Sequence, residues 1–165
     1  MSQAKKTTAG PKRTPGRGTP KSPPPHLHQK TDPRVFVFGS NRVGIHGAGA
    51  ADYAARDLDA KHGVGEGLTG RAYALPTCLA PGIPLTLDQV RVHVQRFMAF
   101  AVTRPDLRFF VSAIGTGIAG FREDEIALLF DGAPLNCDLP PGWREAHVEH
   151  LEAEASRSAS RTPSR

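Results

Sequence analysis

The sequence predicts an α/β fold built on a mostly parallel sheet covered by helices, and three observations point there. Short apolar runs alternate along the chain with segments whose apolar residues recur at helical spacing. The clearest runs, 35–38 and 107–114, are rich in large apolar residues rather than strictly alternating, as strands buried on both faces are. Each then passes into a glycine-rich stretch that opens onto a helical segment, the order from which parallel sheets are made.

Taken in order, Val35, Phe36, Val37 and Phe38 predict the first strand. A helix is predicted over 48–61, with Ala51, Ala54, Ala55 and Leu58 inward and Asp52, Arg56 and Asp59 outward. The segment 63–70, "GVGEGLTG", reads as a loop, and 71–76 as a strand. Thr86 and Gln89 in "TLDQ" fit a capping box, each side chain reaching the other's main chain. After it Leu87, Val90, Val94, Phe97, Met98 and Ala101 predict a helix of about 15 residues that ends before Pro105. A strong strand over 107–114, a short helix over 123–130 and a last strand over 135–139 follow. Trp143 in "PPGW" reads as a plug that closes the domain.

At 165 residues there is room for one core. The net charge of +5 is unevenly placed: residues 1–33 hold seven Lys or Arg against one acid, and 157–165 hold three Arg and no acid. The segment 34–156 has 11 basic and 15 acidic residues, a net of −4. Three segments are therefore expected: a disordered, basic, Pro-rich 1–33, an α/β domain over 34–150, and a disordered tail over 151–165 with at most a frayed helical start. The tails would touch nucleic acid weakly and non-specifically, or simply stay solvated. No apolar run approaches the ~20 residues of a membrane span, and the basic start lacks the apolar region of a secretion signal. A cytoplasmic protein with Cys78 and Cys137 as plain thiols is expected, with no membrane partner, no cofactor and no metal.

The two glycine stretches, "GSNRVGIHGAGA" and "SAIGTGIAGF", carry the functional expectation. In a parallel sheet both lie at the carboxyl ends of strands, where ligand crevices form. Glycine lets the main chain approach a ligand closely, and consecutive free amides at a helix start make an anion site without a cationic side chain. Around Gly47, Ala48, Gly49 and Ala50, and again around Thr116, Gly117, Ile118, Ala119 and Gly120, the natural guest is a phosphate or a diphosphate spanning both loops. The alternative is that these glycines serve only tight turns and close packing. Glu123, Asp124 and Glu125 weigh against an anion, since they fill the first turn of the following helix. The stretches match neither a dinucleotide-binding fingerprint nor a P-loop.

"FVFGSN…GIHGAGAA", "GVGEGLTGRAYALPT" and "SAIGTGIAGF…EIALLF" together resemble a small phage and bacterial family related to macro domains, over roughly 35–145. That resemblance implies a three-layer macro-like domain that binds ADP-ribose. It implies that Gly39, Ser40 and Asn41 end a strand at the ligand, that Asn41 bonds the distal ribose, and that Phe121 packs against a ribose. Amides of Gly47, Ala48, Gly49 and Ala50 and of Thr116, Gly117, Ile118, Ala119 and Gly120 would hold the diphosphate, with Gly115 also among the ligand-binding residues. Hydrolysis of an ADP-ribosyl bond is left open, with Asn41 placing ribose and water and Glu66 or His46 giving acid–base help. The sequence departs from the family in lacking leading strands with an adenine-binding Asp, and in an Ala-rich first loop where hydrolytic members carry an Asp. The competing class is a non-catalytic interaction protein whose basic tails bind nucleic acid. His147 and His150, and His26 and His28, are too few and too isolated to predict a metal site.

Overall fold

In the computed structural model the described residues are 28–159. Along the chain they form β1 (Val35–Asn41), α1 (Gly49–Asp57), β2 (Gly67–Thr69), β3 (Ala72–Ala80), β4 (Ile83–Pro84), α2 (Leu87–Thr103), β5 (Phe109–Val111), α3 (Glu123–Leu129), β6 (Cys137–Asp138) and α4 (Trp143–Ala159). The fold is α/β, with one mixed sheet of six strands. β1 lies at its middle, parallel to β3 on one side and β5 on the other, and β6 continues parallel to β5. β2 and β4 add antiparallel to β3.

Alternate residues of β1 point to opposite faces, and they fall into two separate apolar clusters. Phe36 and Phe38 pack with Ala51, Ala54 and Leu58 around α1, where small alanines let the helix lie close. Val35 and Val37 pack with Leu75, Val90, Val94, Phe97, Phe109 and Ile126, under α2 and α3. Phe97 is the hub of that larger cluster, meeting Tyr73 at 4.9 Å and Phe109 at 5.4 Å between ring centroids. Both pairs are edge-on, the arrangement that the ring quadrupole favours. Trp143 is buried against Phe130 and donates its indole N–H to Glu123 at 3.0 Å.

Most expected elements are present, with shifted ends. The capping box at Thr86 and Gln89 forms as read. α1 stops at Asp57, not 61, because Asp59 turns left-handed at φ 62. β3 runs on to Ala80, past the expected end at 76, while β5 and β6 keep only three and two residues of their expected spans. Part of the 63–70 loop pairs as β2, and β4 was not foreseen.

Described structure lies on both sides of the 34–150 segment. His28 is buried, packs on Phe36 and Phe110, and hydrogen-bonds the Arg34 carbonyl through Nε2 at 2.8 Å. Arg34 is itself clamped by Asp32 and Asp138 and lies over the Phe110 ring, so ordered structure begins before 34. The Arg34 hydrogen bond holds the Asp32 carboxyl down to about 2. At the other end Trp143 plugs the main core and also opens a helix, and α4 continues through 151 to Ala159. The cationic positions of 1–27 and 160–165, with the expected tail contacts to nucleic acid, lie outside the described residues. No helix among the described residues is long and apolar enough to cross a membrane, and Cys78 and Cys137 are free and buried.

Candidate functional site

The carboxyl ends of β3, β1 and β5 come together because the three strands are parallel neighbours, and a cleft of about 470 Å³ opens above them. The expected ligand residues Gly39, Ser40, Asn41, Gly47, Ala48, Gly49, Ala50, Gly115, Thr116, Gly117, Ile118 and Ala119 all line it. Gly120 and Phe121 do not. Their amides turn back to the carbonyls of Gly117 and Gly115, and the Phe121 ring packs on the main core from beneath the loop. Phe121 therefore props the loop where a ribose contact was expected.

The cleft has a third wall that the sequence reading missed, made by Thr77, Cys78, Pro81 and Gly82 at the end of β3. The β1–β3 register slips between Ser40 and Asn41, so Ser40 meets Pro76 but Asn41 meets Cys78. Thr77 is the residue left over, and such a bulge re-aims side chains at a sheet's end. "PTCLAPG" could have signalled a strand running up to a Pro-Gly turn, but Pro76 argues for an earlier stop.

The first loop is held by side chains and close backbone contact. Asn41 Nδ2 donates to the Ile45 carbonyl at 2.7 Å, and its Oδ1 accepts from the Ile45 amide at 3.0 Å. The amide group expected to reach a ribose is thus engaged in closing its own turn. Gly44 sits at φ +71, and a Cβ there would lie 2.4 Å from the Gly63 carbonyl carbon. A Cβ on Gly65 would fall 2.5 Å from the carbonyl oxygens of Asn41 and Arg42. Ser40 Oγ donates to the Gly65 carbonyl. The 61–65 segment is therefore pressed against the 41–45 turn.

Neither acid–base candidate faces the cleft. His46 is only 1% exposed, its ring 5.2 Å from Phe38 and 5.5 Å from His62 between centroids. Burial pushes its imidazole pKa below the usual range, and His62 adds to that. Glu66 accepts from His93 Nδ1 at 2.7 Å and from Arg96 at 3.2 Å, away from the lining. His93 in turn accepts from Arg42 at Nε2, 3.2–3.3 Å away, so Glu66, His93, Arg42 and Arg96 tie the loops to α2. No sequence signal marks that four-residue tie. Arg71 binds the carbonyls of Lys30 and Asp57, and so points away as well.

What the cleft offers is main-chain N–H. Its hydroxyls already donate to the backbone: Ser112 to Val37, Thr77 to Ser40, Thr116 to Ala113. Within the described residues no hydrogen bond engages the amides of Gly47, Ala48, Gly49 and Ala50, or of Thr116, Gly117, Ile118 and Ala119. The first group is the start of α1, where no side chain caps the helix and the macrodipole is positive. Asp52 in that turn is drawn off by Arg56 at 3.0 Å. The feared acids are occupied too. Glu123 holds Trp143, Asp124 holds Arg122, Glu125 accepts the Arg122 amide, and none lines the cleft.

The lining has no charged side chain among the described residues, and no cluster of three or more His, Cys, Asp or Glu there is placed to hold a metal. Ile45 and Ile118, each at least half exposed, flank the donors with apolar surface. Such a site can hold an anion on fixed dipoles and lay flat groups against its sides. Comparison of the chain with models of protein families, with curated proteins and with solved structures found no match.

Proposed function

We propose that the protein binds ADP-ribose or a related nucleoside diphosphate ligand in this cleft, as a macro-like domain of three layers. The observation that carries it is the pair of loops with unused amides, one at an uncapped helix start and one on a turn closed by bonds to the Gly115 and Gly117 carbonyls. A diphosphate is the group that two such donor sets, lining one cleft, would share. The volume lies within the range of about 300–1,000 Å³ usual for small-molecule sites. Ile45 and Ile118 would take the faces of the base or a ribose. Binding, rather than hydrolysis, is what the lining supports, because Glu66 and His46 are held elsewhere.

The test is calorimetric titration of the full chain with ADP-ribose, AMP and ribose 5-phosphate. Micromolar affinity for ADP-ribose, weaker binding of the other two, and loss of binding in Gly117→Glu would support the proposal. A Cβ at Gly117 meets nothing within 4 Å, so that variant keeps its fold while placing a carboxylate among the donors. Absence of binding for all three ligands would end the proposal.

A further inference from the structure

His46 is anomalous. It is almost fully buried, yet neither ring nitrogen has a hydrogen-bond partner, which is rare for buried polar atoms and asks for a reason. The ring stands edge-on to Phe38 from β1 and tilted against His62. The carbonyls of Lys61 and Val64 would favour a charged ring, although neither makes a hydrogen bond of ordinary geometry with it. His62 is the titratable side chain that faces it, taking the His46 amide on Nδ1 at 3.4 Å, and no carboxylate acts on the ring. A neutral imidazole tolerates such a site, whereas an imidazolium there would be a buried charge without a counter-ion.

Its place in the chain gives that chemistry a consequence. The preceding residue, Ile45, carries both bonds from Asn41, and the following one, Gly47, begins the row of cleft amides. The 41–47 turn is joined to the facing loop by the Gly63 amide on the Gly44 carbonyl at 2.9 Å. We propose that His46 is a pH-sensitive latch, its neutral ring holding the 41–47 turn against the 61–64 loop and its protonation parting the two, which withdraws the α1 amides from the cleft. The latch rests on loop packing and holds whether or not the ligand is a diphosphate. Its direction is fixed. The closed arrangement is favoured above the ordinary histidine value of 6.5 and weakens as pH falls below it towards the lowered value in the closed state.

The test is amide hydrogen exchange on the full chain, read residue by residue at about pH 7.5 and about pH 5 and expressed as protection factors to remove intrinsic chemistry. The Gly44, Ile45 and Gly63 amides should lose protection about ten-fold or more at the lower pH, while Val94 and Phe97 in α2 keep theirs. In His46→Phe, which fills the same space without titrating, the loss should vanish. His46→Gln gives the same comparison if the Phe variant does not fold. Unchanged protection in the wild type at about pH 5 would overturn the latch. So would an equal loss in α2, or an equal loss in either folded variant.

Discussion

The two glycine loops sit on opposite sides of one cleft and supply the same kind of donor, yet they are built in different ways. The first, from Asn41 to Gly49, takes its shape from the rest of the protein. Asn41 closes the turn, His46 is buried beneath it, and the 63–65 segment lies so close that neither Gly44 nor Gly65 has room for a Cβ. The second, from Ser112 to Phe121, takes its shape largely from itself. Ile114 bonds Ser112, Thr116 bonds Ala113, Gly120 bonds Gly117 and Phe121 bonds Gly115, all within ten residues of chain. A loop of the first kind is sensitive to distant change and can be switched. A loop of the second kind is a local turn, rigid by short-range bonding and tolerant at its outer surface.

Substitutions should separate the two. The largest effect is expected at Gly44→Ala, which combines a left-handed backbone with a clash against main chain that cannot move aside. It should cost upward of about 3 kcal/mol in urea denaturation of the full chain. An unchanged midpoint would mean that the 61–65 segment is not pinned as described. Asn41→Ala comes next, removing two hydrogen bonds at about 1–3 kcal/mol together. Its effect should appear as faster exchange of the Ile45 amide with the 112–121 loop untouched. A smaller effect is the pH dependence of stability. Because His46 is held neutral by burial, the wild-type midpoint should decline below about pH 6.5, and His46→Phe should flatten that decline. Smallest of all is Gly117→Ala in the second loop, with open space around the new methyl and within about 0.5 kcal/mol of wild type. If Gly117→Ala proved as damaging as Gly44→Ala, the contrast between the loops would fail.

The same contrast explains what could be read from the chain. The second loop and its neighbours are local, so "SAIGTGIAGF" and the Thr86–Gln89 box disclose their structure in consecutive residues. The first loop's glycines were legible as a backbone that must come close to something. The partner that comes close, 63–65, lies some 20 residues away and left no mark in the spacing. For that reason the spacing puts Asn41 at the cleft but does not disclose that its amide group bonds Ile45, nor that the acid–base candidate Glu66 is held aside by His93 and Arg96. The third cleft wall was hidden by Pro76, a residue that normally ends a strand and here sits inside one. Burial of His28 leaves no mark in the local composition, because the rings that make a place for it, Phe36, Tyr53 and Phe110, come from distant parts of the chain.

The position of His28 also sets how the molecule can be handled. His28, Asp32 and Arg34 sit at the amino end of β1, and the cleft opens at its carboxyl end, so the strand's seven residues, roughly 23 Å, separate the two poles. A label carried on the exposed Lys30 side chain would be anchored at the pole facing away from the cleft mouth. Immobilising the protein by that end therefore leaves the mouth turned to solution, the orientation in which a sensor chip would read a small ligand without steric loss.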